Sequence, residues 1–384
     1  VWVTSELLDE IFLFDKEKMP GQKFLLAGKG GFNLTNKKTG KELSARYSPA
    51  GYLDEPLNAF DSKAFRQWLL DLGIPTFEGS SGRVFPEKGI KPAQVLAKIT
   101  SSLKTKGVFF LMKHRLISFN QQMDFVFESS GAEITWKADV AILALGGASW
   151  PSTGSDGKWL DLMQKQGVNT IPFQPSNCGL NIAWPDTVTQ FHTGKPLKNI
   201  AISANNAVSR GEALITEYGL EGNAVYPLIP EIRKTLSQGL LSHICIDFKP
   251  ANTKAQLALK FAGKDARRFN YGDVLKLDTA AMALIKAYTS REAYMQPFDF
   301  ISEIKSLKIL VHSLRPVEEA ISSVGGVPLN EMNPDFSLKK FPRIFAIGEM
   351  LDWDAPTGGF LLQACFSMAY YAGQKILENL GETS

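Results

Sequence analysis

Cysteine is scarce in this chain: three in 384 residues, an odd count with no CxxC spacing. That excludes a disulfide framework and a thiolate metal site, and it predicts a reducing, cytoplasmic setting. Charge of one sign is also lacking. The 42 Lys and Arg against 39 Asp and Glu leave a net charge of +3, too little to point to nucleic acid as a partner. The basic cluster at residues 264–268 (KDARR) reads as a solvated helix face. No apolar run approaches the roughly 20 residues of a membrane-spanning helix, so no membrane partner is expected. The opening residues carry Glu6, Asp9 and Glu10, unlike a signal peptide. The four histidines show no metal-ligand spacing, no repeat or low-complexity tract is visible, and no glycine precedes Gly21.

What is present suits packed cores: 44% hydrophobic and 21% charged residues, at a length that allows two or three domains. Apolar residues at helical spacing over 61–73 and 92–106, with a strand over 107–112, give an α/β pattern that continues to Gly147. From about residue 173 the pattern changes to short alternating strands, such as 200–204 and 212–216, as in an antiparallel barrel. Residues from about 230 to 303 read as largely helical, with one strand near 244–248. The expected organisation is a discontinuous cofactor domain, 1–172 and 325–384, around an inserted substrate domain, 173–324.

Three segments carry chemistry. The apolar run Ile344–Ile347 stops at Gly348 and Glu349, where a missing side chain lets a ligand approach and a carboxylate can accept a ribose hydroxyl. Gly358 and Gly359 then open a helix, beginning at Phe360, whose free N–H groups could face an oxyanion or a ring edge. The second segment, FLLAGKGGFNLTN (24–36), places Gly28, Gly30 and Gly31 before Asn33 and Thr35, with Lys23 and Lys29 beside them. Such a loop can cradle phosphate or a flavin edge, although an ordinary glycine turn has the same composition. Just upstream, Ile11–Phe14 ends in Asp15, the placement of an acid that holds an adenosine ribose. In the third segment, DVAILALGGAS (139–149), an apolar strand stops at Gly146 and Gly147. Three strands ending in glycine or an acid argue for one dinucleotide crevice at the carboxyl edge of a sheet.

The motifs PGQKFLLAGKGGFNLTN (20–36), GSSGRVFP (79–86), LALGGASWPSTGSDG (143–157), PSNCGL (175–180), GLEGNAVYPL (219–228), EEAISSVGGVP (318–328) and AIGEMLDWDAPTGGFLLQACF (346–366) run through nearly the whole chain. In this order they resemble the HI0933-like flavoproteins. The resemblance implies an α/β fold with a Rossmann-like FAD/NAD(P)-binding domain, related to glutathione reductase, and an inserted β-barrel plus helical substrate domain. It also implies FAD as cofactor, NAD(P)H as a candidate electron donor, and a small organic substrate. The reaction would be amine or alcohol oxidation, or NAD(P)H-linked enone reduction. On the matching positions, the cofactor-binding residues would be Asp15, Lys23, Gly30, Gly31, Asn33, Thr35, Gly146, Gly348, Glu349, Gly358, Gly359 and Phe360. No catalytic side chain is singled out, because a flavin performs hydride transfer at its own ring.

The chain departs from that family at its start. The family opens with a strand and a Gly-x-Gly-x-x-Gly turn about 20 residues before the ribose-binding acid, and Asp15 has too few residues before it. Residues 4–10 then preserve the end of the first helix only, and the family's Gly-Arg-Lys stands here as Gly21-Gln22-Lys23. This motivates a second expectation, a truncated, cofactor-free and non-catalytic binding protein. A third, flavin-dependent RNA modification, is disfavoured by the weak positive charge.

Other candidates are fewer. Arg83 could face a substrate carboxylate or the flavin, or form a surface ion pair. Asp352, Trp353 and Asp354 could orient the flavin ring or make an exposed acidic turn. Cys178 is the sharpest nucleophile candidate, but without a CxxC partner it reads as a small buried residue, and Cys365 as helix packing. His192 could line a substrate cleft as acid or base, while His114, His243 and His312 read as structural. Substrate and oligomeric state stay open.

Overall fold

Apolar runs that end in glycine or an acid become parallel strands. Ile11–Asp15 pairs in parallel with Val108–Met112, Ile11 opposite Val108 and Asp15 opposite Met112. The computed structural model describes residues 10–26, 32–261 and 271–381. Gly28, Lys29, Gly30 and Gly31 of the expected phosphate loop, residues 4–9 and the basic cluster 264–268 lie outside the described residues. The chain divides into two compact units, one of residues up to Gln174 and from Ile321 on, the other Pro175–Ala320.

In the first unit a second parallel pair joins Ala141–Leu143 to Phe341–Ala346, Leu143 opposite Ala346, with Ser337–Leu338 antiparallel at the outer side. Helices follow local signals in the sequence. Asp61 caps Ser62–Asp71 by accepting from the amides of Lys63 and Ala64, and Pro92 opens Pro92–Thr105, where a missing N–H does no harm. The long helix Phe360–Gly381 buries Phe360, Gln363, Ala364, Ser367, Met368, Ala372 and Ile376, a recurrence of three and four that marks one core-facing stripe.

Residues 115–137 differ from the expected α/β continuation. They form an antiparallel meander of Arg115–Phe119, Asp124–Ser129 and Ala132–Lys137. Ser130 and Gly131, at φ 54° and 83°, make the two-residue hairpin turn whose twist matches paired strands. The segment that begins at Phe24 is also not wholly loop, because Gln22–Leu26 forms a helical turn.

The second unit is built on a seven-stranded antiparallel sheet. Its order is Leu307–Val311, Ser242–Asp247, Pro196–Ala204, Ala207–Ile215, Gly219–Glu221, Leu180–Asn181 and Ser313–Leu314. The two end strands are separated in the chain by His312 alone, so the sheet curls back on itself toward a barrel. Helices Ile229–Ser237, Thr279–Tyr288 and Pro297–Lys305 pack Ile232, Leu284 and Phe300 into one core with Ile202, Ile244 and Ile246. Among the described residues no helix is long and apolar enough to cross a membrane.

Candidate cofactor site

The carboxyl ends of Ala141–Leu143 and Phe341–Ala346 lie side by side, so the loops that leave them meet. Both loops turn through left-handed glycines, Gly146 at φ 76° and Gly348 at φ 79°, a conformation that favours glycine. Gly147 has a further reason to lack a side chain: a Cβ there would lie 2.1 Å from Ser323 Oγ and 2.9 Å from Glu349 Cδ. Glu349, on the turn after the strand, is therefore drawn against the glycine loop.

Lys23 completes this cluster from the helix Gln22–Leu26. Its ammonium lies 2.7 Å from Glu349 Oε2 and donates to Ser149 Oγ at 2.7 Å and Ser155 Oγ at 3.3 Å. The other carboxylate oxygen of Glu349 accepts from the Ser323 amide at 2.9 Å. The Ser323 hydroxyl accepts from the Ala148 amide at 3.0 Å, and Ser155 donates to the Gly147 carbonyl at 2.9 Å. Lys23 and Glu349 keep 29% and 15% of their side chains exposed, so both charges can exchange partners with a ligand. Asp15 stands half-buried at the end of its strand and accepts from the Glu17 amide at 2.8 Å. Burial raises its carboxyl above the usual value, against the opposing hydrogen bond from Glu17.

The second expected cluster has a different character. Thr35 is fully buried and its hydroxyl pairs with Gln363 Oε1 at 2.5 Å. Gln363 Nε2 donates to the Phe60 carbonyl at 2.9 Å and to Ser367 Oγ at 3.0 Å. Gly359, at φ 92°, is held against the strand Thr35–Asn36: a Cβ there would lie 2.3 Å from the Thr35 carbonyl oxygen. Asn36 Nδ2 donates to the Gly358 carbonyl at 3.3 Å. Phe360 is a core ring, edge-on to Tyr47. Asn33 is half-buried beside them.

The structure thus brings Lys23, Gly146, Gly348 and Glu349 together, whereas Asp15 ends a strand of a separate two-stranded pair and not of the same sheet, contrary to the expected single sheet edge. It gathers Thr35, Gly358, Gly359 and Phe360 into packing. Ser149, Ser155 and Ser323 were not read from the sequence as site residues. Their signal was a serine beside each glycine turn. Trp353 donates to the Gly348 carbonyl at 2.8 Å, and Asp352 accepts from the Gly325 amide at 3.0 Å, so both brace the turn that carries Glu349. Trp353 and Asp354 are buried, which rules out an exposed acidic turn.

Arg83 is half-buried, its Nε 3.6 Å from where a Cβ on Gly358 would lie, and its guanidinium has no partner among the described residues. Cys365 is pushed up to about 12 by burial and then by Glu349, which makes it a poor nucleophile. Cys178 is buried. Among the described residues no group of acids, His and Cys could hold a metal ion.

The model of the HI0933-like protein Rossmann domain matches residues 3–375. The chain belongs to the HI0933-like family. This HI0933-like chain is accordingly a FAD-dependent oxidoreductase with a Rossmann-like binding domain. It is 24% identical to a 3-dehydro-bile acid delta(4,6)-reductase of Clostridium scindens, over 96% of this chain and 93% of that protein. It is 22% identical to a ribosomal RNA dihydrouridine synthase of Escherichia coli, over 96% and 92%. Among solved structures, the 3-ketosteroid-delta4-(5alpha)-dehydrogenase of Rhodococcus jostii aligns over 95% of this chain and 90% of that one, at 12% identity and a TM-score of 0.41.

The donor set of this HI0933-like protein fits FAD. Lys23 and the Ser149 and Ser155 hydroxyls suit phosphate oxygens, Glu349 suits a sugar or ribityl hydroxyl, and left-handed glycines let backbone approach.

Proposed function

We propose that this chain reduces a carbon–carbon double bond conjugated to a carbonyl, with NAD(P)H as the electron source. The observation that carries the reading is a shared bond change. The bile-acid and uridine relatives span this chain almost end to end, and both names describe addition of two hydrogens across such a bond. Bound FAD would supply the hydride chemistry, with NAD(P)H as the source of the two electrons; the net change would add a hydride to the substrate carbon distant from the carbonyl and a proton from solvent to the adjacent carbon.

This chain's own residues bind and orient. We assign Lys23, Ser149 and Ser155 to phosphate oxygens, and Glu349 to a ribityl or ribose hydroxyl. Asp15 is assigned to the adenosine ribose, and Gly146 and Gly348 to close backbone approach. The unit containing them is the cofactor domain in this reading, and Pro175–Ala320 the substrate domain. Arg83 offers paired N–H donors to the substrate carbonyl oxygen, where negative charge develops as hydride arrives. Gly30, Gly31 and Asn33 remain assigned to pyrophosphate or flavin.

A small organic substrate and a uridine within RNA both satisfy this reaction, and the E. coli relative favours keeping the second in view. We place the reaction in the cytoplasm, in keeping with three cysteines that form no disulfide. The test is anaerobic. The purified chain should carry a flavin spectrum that NADPH bleaches, and a 3-keto-Δ4,6-steroid or a uridine-containing rRNA transcript should restore the colour in the dark. Bleaching of the oxidised flavin by an amine or an alcohol, with no return of colour on adding either unsaturated substrate, would overturn the reading, and a colourless folded chain would favour the cofactor-free alternative.

A further inference from the structure

All of the net positive charge belongs to one unit. Residues 175–320 carry 17 Lys and Arg against 14 Asp and Glu, while the remaining residues balance 25 against 25. In the second unit an open groove of about 780 Å³ gathers four of these cations, Lys198, Arg210, Lys249 and Lys276, with Asp278 as the one carboxylate on its wall among the described residues.

The groove is built by an irregularity in the sheet. Pairing between Pro196–Ala204 and Ala207–Ile215 shifts register between Leu197 and Ile200, and Asn199 takes φ 53°. This bulge turns Lys198 outward beside Arg210. The turn after Ser242–Asp247 supplies Lys249, and the turn before Thr279–Tyr288 supplies Lys276. Lys198, Arg210 and Lys276 are exposed, and their cationic groups have no hydrogen-bond or ion-pair partner among the described residues. Asp278 does not neutralise them freely, because it caps a helix by accepting from the Ala281 amide at 2.7 Å. Lys249 donates to the Lys276 carbonyl at 2.7 Å. Burial and then Lys260 hold its ammonium below the usual value, with Asp278 opposing and Lys276 adding.

We propose that this groove binds phosphate groups, held by the cations of Lys198, Arg210 and Lys276 around the bulge. Several cations on one open wall suit the charges of a phosphodiester strand, and Arg210 can grip one phosphate through two N–H groups. The same chemistry is carried by a free nucleotide such as NADPH. The proposal goes beyond the reduction reading and does not depend on it, since binding is measured without turnover.

The test compares Lys198→Glu with Arg210→Glu, made together, against a charge-matched control in the first unit, Lys88→Glu with Lys165→Glu. Affinity for a fluorescein-labelled RNA 20-mer is read by anisotropy across a salt series, and affinity for NADPH by titration calorimetry. The groove variant should bind one of these about tenfold more weakly or worse at low salt, with a shallower salt dependence, while the control binds as the parent does. Loss of RNA binding identifies a strand as the phosphate source, and loss of NADPH binding alone identifies the nucleotide. Equal binding of both probes by the groove variant, the control and the parent would overturn the proposal. Should the charge reversal impair folding by circular dichroism, Arg210→Gln with Lys276→Gln gives the same comparison.

Discussion

Two polar clusters in the first unit are built from the same kind of sequence, glycines next to hydroxyl and acid or amide side chains, yet they do opposite things. Around Lys23 and Glu349 the groups are charged and partly exposed. Around Thr35 and Gln363 they are neutral and fully buried, each committed to a partner inside the protein. A partly hydrated charge can change partners when a ligand arrives, whereas a buried neutral group that lets go is left unsatisfied. On the proposed assignment, burial separates the cluster that binds from the one that packs.

The comparison breaks most directly at Gly359. Gly359→Ala would drive a Cβ to 2.3 Å from the Thr35 carbonyl at a left-handed φ. Strain and overpacking together should lower stability by about 3 kcal/mol, read as a drop in the midpoint of urea unfolding. An unfolding midpoint equal to the parent's would mean that this cluster does not hold the helix to the strand. Next, Gln363→Leu removes a residue that bonds Thr35, Phe60 and Ser367. It should destabilise by about 2 kcal/mol, while FAD affinity of the folded fraction, measured by flavin fluorescence, stays at the parent's level.

Glu349→Gln should give the reverse pattern. FAD binding weakens roughly tenfold, equivalent to about 1.4 kcal/mol, and unfolding shifts by less than about 1 kcal/mol because the Lys23 pair is partly solvated. A variant that lost stability but kept its flavin would move Glu349 into the structural class. The smallest effect is expected at Asp15. Its folded carboxyl is raised by burial, so this group favours the folded state at low pH and loses that contribution as pH rises through the folded value. Asp15→Asn, which keeps an acceptor for the Glu17 amide, should therefore melt slightly higher than the parent at pH 7. The advantage should shrink as the pH falls toward the ordinary aspartate value, as thermal melts across that range would show.

Parallel strands ending at Asp15, near Gly146 and at Gly348, the two helices after Asp61 and Lys91, and the turn to short antiparallel strands beyond residue 173 were legible from the chain alone. Each rests on local chemistry: apolar runs, caps, glycines and the period of hydrophobic residues. The meander over 115–137 was missed because its signal is two tight turns, at 120–123 and 130–131, that look unremarkable beside the flanking α/β pattern. The serines at 149, 155 and 323 were missed because their role depends on three loops meeting.

By itself the sequence determined the family, the cofactor class and where the backbone must turn, since these follow from motifs read along the chain. Only the tertiary structure decided which polar residues hold charge at the strand ends and which vanish into packing. Lys23 and Glu349 are 326 residues apart, Thr35 and Gln363 328 apart. Partners at such separations are chosen by the fold, because burial and distance belong to no local segment.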